Sequence, residues 1–397
     1  MTLEQLEPKE VFHYFKEICK IPHGSGNVKQ ISDYCVDFAK QHGLKYRQDE
    51  SLNVIIWKDG TSGYENSPAH IDMVAVKEED CIKDMEKEGL DLEIQDGYLS
   101  AKQTSLGGDD GIAVAYSLAL LASTDIPHPP LEAVFTVDEE IGMLGAAAID
   151  LSDLKGKIML NMDSEDEGIF LAGCAGGASV RCDIPVTKGT ETGVRRTLTL
   201  KGFTGGHSGT EIICQRANTN ILMGRILMEL NNEMSFFVTS ISGGEKDNAI
   251  AKVGKLELLI QPSDAQTFAE TMEKITATLK REYEVTDPDM QIVITEDNEE
   301  KETLVYHPSC TMKLMLALVH LPYGVVKMSN DIKGLVQTSL NLGIIQETQD
   351  CVRLCYSVRS SVGSEKEWLI EKLYSLTEFL GGSCTIDGPY PAWEYKK

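Results

Sequence analysis

The sequence predicts an α/β protein: a sheet layer flanked by helices, followed by an α+β domain built on a repeated β-α-β-β-α-β order. Three observations carry that expectation. Up to about residue 185, short apolar runs alternate with helical stretches, the texture of a layered, largely parallel sheet. Beyond that point longer amphipathic units begin. The chain's 397 residues, 42% of them hydrophobic, exceed one ordinary domain and suffice for two cores.

In chain order, residues 9–19 carry apolar side chains at helical spacing, Pro22-His23-Gly24-Ser25-Gly26 breaks the pattern, and 28–42 resume it. Residues 53–57, 131–137 and 157–162 are expected as strands. Residues 111–123 are expected as a buried helix, with Asp109 and Asp110 suited to its positive N-terminal end. The second domain begins with strand 197–203, helix 217–232, strands 235–242 and 249–260, helix 263–283 and strand 290–295. Helix 308–320, strands 336–346 and 351–360, helix 364–380 and strand 383–387 repeat that order if the strand near 290 is shared between the two halves. The expected division is therefore 1–185, a second domain at 186–385, and 386–397 returning toward the first.

Charge narrows the function. With 37 Lys and Arg against 62 Asp and Glu, the formal charge of −25 repels phosphate backbones and anionic lipid surfaces, so neither nucleic acid nor membrane is an expected partner. The N-terminus lacks the basic start and apolar core of a signal peptide, and no stretch approaches the ~20 apolar residues of a membrane span. Ten cysteines lie scattered without CxxC pairs, which fits reduced thiols and a cytoplasmic location.

In an open α/β sheet, ligands bind beyond the carboxyl ends of strands, so acids and imidazoles there carry most weight. Residues 131–137 run into Asp138-Glu139-Glu140, 157–162 run into Asp163, and His70-Ile71-Asp72 lies near the first sheet segments. Leu106-Gly107-Gly108-Asp109-Asp110-Gly111 sets acids at a helix start between glycines that allow close backbone approach. One imidazole with several carboxylates is a donor set for divalent zinc, manganese or cobalt, and a metal pair activates water for carbonyl hydrolysis. If extended, adjacent Glu139 and Glu140 point to opposite sides, leaving one for metal and one for the attacking water. Taken singly, each motif has a plainer reading: a local hydrogen bond for His70, a solvated pair for the glutamates, a helix cap for Asp109-Asp110. Their order and placement together favour a site.

These residues carry a resemblance to the aminoacyl-histidine dipeptidases, the cytosolic non-specific dipeptidase branch of the two-zinc exopeptidases and deacylases. It extends over nearly the whole chain, through Ile21-Pro22-His23-Gly24-Ser25-Gly26, His70-Ile71-Asp72-Met73-Val74, Thr104-Ser105 with the glycine and aspartate run after it, Asp138-Glu139-Glu140-Ile141-Gly142-Met143, and Asn161-Met162-Asp163-Ser164-Glu165. Gly173-Cys174-Ala175-Gly176-Gly177, Gly205-Gly206-His207-Ser208-Gly209, Gly243-Gly244-Glu245-Lys246-Asp247-Asn248 and Val358-Arg359-Ser360-Ser361 continue it. The resemblance implies a zinc-exopeptidase-like mixed sheet flanked by helices, incomplete in this chain, with the α+β domain inserted as a lid. It implies zinc-dependent hydrolysis of dipeptides. His70 and Asp163 would bind one zinc, Asp109 would bridge and Glu140 would bind the second, while Asp72 orients His70. Glu139 would be the general base, His207 the oxyanion-stabilising histidine, and Asn248 and Arg359 the groups holding the substrate's terminal carboxylate. Left to themselves, His207 reads as a turn histidine among glycines and Arg359 as a charge at a strand end.

Two departures bear on activity. A short apolar strand precedes the HxD motif in the family, whereas residues 60–69 here have the composition of a loop, so its loss is expected to misplace His70. The family chain also returns from the lid with a histidine that completes the second zinc site, and no histidine follows His320 here. The expectation is weak metal binding and impaired hydrolysis. An N-acyl amino acid deacylase or a tripeptidase would share the metal site, and a non-catalytic truncated remnant is the alternative of another class; a homodimer is left open.

Overall fold

The computed structural model describes residues 5–61, 69–71, 73–78, 80–164, 168–169, 171 and 173–395. They form two compact units that divide between Ile169 and Phe170. The division comes before the expected 185/186 because Gly176–Pro185 pairs within the second unit. Among the described residues no helix is long and apolar enough to cross a membrane.

The first unit runs α1 (Lys9–Ile18), α2 (Lys29–Gln41), β1 (Lys45–Gln48), β2 (Val54–Lys58), β3 (Ala69–His70), β4 (Leu92–Gln95), β5 (Tyr98–Ala101), α3 (Gly108–Ala122), β6 (Leu131–Thr136) and α4 (Leu144–Ala148). Its core comes from the apolar stripe of α1, Val11, Tyr14, Phe15 and Ile18, packed on α3 and on the continuous apolar runs of β2 and β6. α3 is apolar nearly all round, as a helix enclosed on several sides must be. Gly111 lets it close on α1, since a Cβ there would stand 3.3 Å from the Phe15 ring.

The sheet corrects the expected parallel layer. Its order is β1-β2-β6-β3, with β1·β2 and β2·β6 antiparallel and only β3·β6 parallel. The Asp49–Asn53 turn folds β1 and β2 into a hairpin, which requires antiparallel pairing. β3 and β6 are joined through α3, and that crossover is what makes them parallel. Residues 157–162 do not form the expected strand: Ile158, Met159 and Leu160 are exposed, and no described strand pairs with them. An apolar run becomes a strand only where a neighbour supplies a hydrogen-bond ladder. Asp163 therefore follows irregular backbone rather than a strand end.

The second unit comprises β7 (Gly176–Pro185), β8 (Lys188–Lys201), β9 (Gly206–His207), α5 (Thr219–Glu233), β10 (Phe237–Gly243), β11 (Ala249–Ile250), β12 (Gly254–Ile260), α6 (Ala265–Glu282), β13 (Gln291–Tyr306), α7 (Pro308–His320), β14 (Gly324–Met328), β15 (Val336–Glu347), β16 (Cys351–Ser360), α8 (Gly363–Phe379) and β17 (Ser383–Tyr390). Its main sheet runs β13-β8-β12-β10-β15-β16-β7-β17, with β14 beside β15. The two expected halves are visible as β13-β8-β12-β10 and its mirror β15-β16-β7-β17. No strand is shared. The first strand of the second half is β7, which precedes the whole first half in sequence and was missed in reading it.

Period two sorts the faces. Val180, Cys182 and Ile184 of β7 and Val352, Leu354, Tyr356 and Val358 of β16 enter one core with the helices. Arg353 lies on the opposite face, where it pairs with Asp183, and the same alternation carries Arg359 to that helix-free face.

Candidate active site

In the first unit the chain is drawn to one corner by its own backbone. His70 lies opposite Thr136 in the β3·β6 ladder, and the Ile71 amide donates to the Thr136 carbonyl at 2.9 Å. Two residues on, Met73 closes against the glycine run before α3: a Cβ on Gly107 would meet its sulfur at 2.5 Å. The segment thus bridges the carboxyl end of β6 to the N-terminus of α3, where Asp109 is exposed and Asp110 buried. The Ser25 amide donates to the Met73 carbonyl, and the Gly26 amide donates to Asp138 Oδ1 at 2.7 Å. The 22–26 loop therefore holds both the HxD segment and the acids after β6.

Glu139 and Glu140 are not extended. Asp138 has a φ of 54°, and the Glu139 carbonyl accepts from the Gly142 and Met143 amides, so the acids belong to a turn and strand alternation does not separate them. Asp72 and the side chain of His70 lie outside the described residues. Chemically the donor set suits a divalent metal, one imidazole with three carboxylates. Among the described residues, however, no group of three or more His, Cys, Asp or Glu stands close enough to hold a metal ion, so Asp109, Glu140 and Asp163 do not form such a group without the imidazole. The irregular 157–162 run is what leaves Asp163 without a strand to aim it.

The second unit gathers its own cluster. β9 pairs with β11 so that His207 lies opposite Ala249, and the Ser208 amide donates to the Asn248 carbonyl at 2.9 Å. The His207 amide donates to Glu211 Oε2, and its Nδ1 stands 3.4 Å from Thr210 Oγ1. Although the residue is exposed overall, desolvation of the ring first and the Arg359 guanidinium second hold its pKa below the ordinary histidine range. Arg359 Nη1 donates to the Tyr390 hydroxyl at 3.2 Å, while its Nε is buried without a partner. His207, Asn248 and Arg359, far apart in sequence, thus belong to one neighbourhood, with the exposed Asn248 joined to it through its backbone.

Reading the sequence did not find Tyr390, whose carbonyl also accepts from the buried Lys366 ammonium at 2.7 Å. Nor did it find Asn53, and it named Asp138 without the Gly26 bond that holds it. A polar residue directly before an apolar strand was the available signal for Asn53; for Tyr390 there was none.

Comparison with known proteins gives the chain several relatives. Residues 198–287 match the family profile described as peptidase dimerisation domain. The chain is 33% identical over 402 aligned residues to the cytosol non-specific dipeptidase of Escherichia coli K12, spanning 99% of this chain and 82% of that protein. An uncharacterised protein of Bacillus subtilis 168 is 24% identical over 281 residues, 69% of this chain and 67% of its own. The crystal structure of aminoacylhistidine dipeptidase from Vibrio alginolyticus superimposes with a TM-score of 0.85 at 34% identity, covering 100% of this chain and 82% of that one.

Proposed function

We propose, for a chain that belongs to the aminoacyl-histidine and cytosol non-specific dipeptidases of the M20 peptidase family, that it hydrolyses short peptides carrying a free terminal carboxylate, with dipeptides of the Xaa-His kind among them. The reading rests on one observation above the family match: a guanidinium with a buried, unpaired Nε beside a histidine held toward its neutral form. A planar cation with an open donor suits a carboxylate. Arg359 and Asn248 hold the terminal carboxylate, and His207 donates to the oxyanion that forms at the scissile carbonyl. Glu139 takes a proton from the attacking water on its carboxylate and delivers it to the leaving amine nitrogen.

His70, Asp109, Glu140 and Asp163 are the residues that would hold two divalent ions, zinc first and cobalt or manganese as substitutes, with Asp72 orienting His70. Such ions, when bound, polarise the carbonyl and acidify water. The match to a dimerisation domain supports a homodimer formed through the second unit, and ten free cysteines suit a reducing cytoplasm.

Assaying zinc-, cobalt- and manganese-supplemented protein against β-alanyl-histidine, ordinary dipeptides, C-terminal amides, tripeptides and N-acyl amino acids tests the reading. Dipeptides should be cleaved, their amides spared, and Glu139→Gln should be inactive. Equal cleavage of amides and free acids, or a preference for acylated amino acids, would overturn it. Sedimentation at micromolar concentration checks the dimer.

A further inference from the structure

The loop that carries Glu139 and Glu140 is closed at its neck by a single buried side chain. Asn53, 1% exposed, stands immediately before β2. Its Oδ1 accepts from the Val137 amide at 3.1 Å, and its Nδ2 donates to the Gly145 carbonyl at 3.1 Å. Val137 is where the chain leaves β6 and Gly145 is where it enters α4. A backbone bond from Gly145 N to Val137 O, 2.9 Å, closes the same neck from the other side.

The orientation of that amide is fixed independently. Asn53 Nδ2 also lies 2.7 Å from Asp49 Oδ2, and the Asn53 backbone amide donates to Asp49 Oδ1 at 2.9 Å. An ionised carboxylate only accepts, so the nitrogen must face Asp49 and Gly145 while the oxygen faces Val137. The fit leaves no slack: a Cβ on Gly145 would come within 2.4 Å of Asn53 Oδ1 and of the Val137 carbonyl. The Gly26 amide, holding Asp138, steadies the loop beyond its neck.

We propose that Asn53 is a positioning residue for the catalytic and metal-binding glutamates: through its two-way bridge between Val137 and Gly145, oriented by Asp49, it fixes the 138–144 loop on the sheet and so aims Glu139 and Glu140. The proposal rests on the reading of those glutamates given above. The chemistry of the bridge is specific. Aspartate at this place would set oxygen against the Gly145 carbonyl and against Asp49, and leucine would leave the Val137 amide without its acceptor and the Gly145 carbonyl with only the Ile149 amide.

The test uses the full chain with Asn53→Asp, the milder Asp49→Asn, and Glu139→Gln as reference. Amide exchange of metal-free protein, read by mass spectrometry over 138–145, should accelerate about tenfold or more in Asn53→Asp, with peptides of the second unit unchanged. With metal restored, kcat should fall about 10- to 100-fold with KM within about twofold, the size of loss seen when a group supporting a ligand is removed. Should Asn53→Asp fail to fold, Asp49→Asn carries the same readouts at smaller size. Wild-type exchange in the loop together with wild-type kcat would overturn the proposal, as would a loss of activity confined to KM. Equal turnover by the wild type and Glu139→Gln would remove the catalytic reading itself, and the positioning role with it, even if the loop still loosened.

Discussion

The Arg359 guanidinium and the His207 imidazole converge on Gly209, where an added Cβ would lie 3.3 Å from Arg359 Nε and 2.9 Å from His207 Cε1. Desolvation already disfavours protonation of the ring, and the cation adds to it. Arg359→Met should therefore raise the His207 pKa toward 6.5, leaving the desolvation part of the shift in place. Carbon-labelled histidine spectra, followed through a pH titration, read this directly. The acid limb of kcat/KM should move up in pH with it, because the neutral ring is the proposed donor to the oxyanion. A His207 titration unmoved by the substitution would dissociate the two residues.

Substrate recognition gives a graded expectation around the same arginine. Arg359→Lys keeps the charge and loses the planar fork, so KM for dipeptides should rise by about tenfold or more, with a smaller change in kcat. Tyr390→Phe removes only the hydroxyl that accepts from Arg359 Nη1, worth about 1 kcal/mol, or roughly fivefold in KM. Steady-state kinetics of both variants on one dipeptide, alongside its C-terminal amide, check the order.

How much of this was legible in the sequence differs between the units. Helices α1, α2, α5, α6, α7 and α8 lie within a residue or two of where apolar spacing put them, because each presents one stripe to a core. β7 was missed because its run begins Gly-Gly-Ala and carries Arg181 and Asp183 on the helix-free face, where only the partner Arg353 explains an acid in a strand. The opposite error occurred at 157–162, where composition favours a strand but the ladder that would make one is not offered by any described neighbour. The placement of Glu139 and Glu140 just beyond a strand, and of Asp109 at a helix start, was legible in the sequence. Tyr390 was not, since hydrogen bonding to a distant side chain leaves no local pattern, and Asn53 left only the trace of a polar residue before an apolar strand.

Acid should loosen the second unit through a named carboxylate. Burial pushes the Glu365 pKa up, but hydrogen bonds from Lys327, Thr338 and Gln337 outweigh it and hold the carboxyl down to about 2. The unfolded chain, with its carboxyl near 4.5, binds the extra proton between those values. Stability from Glu365 is then whole above about 4.5 and is lost as pH falls toward 2. Glu365→Gln should cost about 2 kcal/mol at neutral pH and converge with the wild type in acid. Urea unfolding of the second unit, monitored at pH 7 and at pH 3, gives both values; a gap that widened in acid would reverse the sign argued.

Adjacent Glu139 and Glu140 should separate when metal content and turnover are measured on the same samples. Glu139 is assigned to proton transfer and Glu140 to metal, yet both sit in one turn, so proximity alone would let either do both. Glu139→Gln keeps the size and a carbonyl oxygen but removes the base. It should retain the metal bound by the wild type while kcat falls by about 10²- to 10⁴-fold, the usual worth of a positioned general base. Glu140→Gln should lose at least part of the metal and regain some turnover when zinc or cobalt is raised. Elemental analysis after gel filtration, paired with a metal titration of activity, distinguishes the two. Metal loss in Glu139→Gln with retention in Glu140→Gln would exchange the assignments.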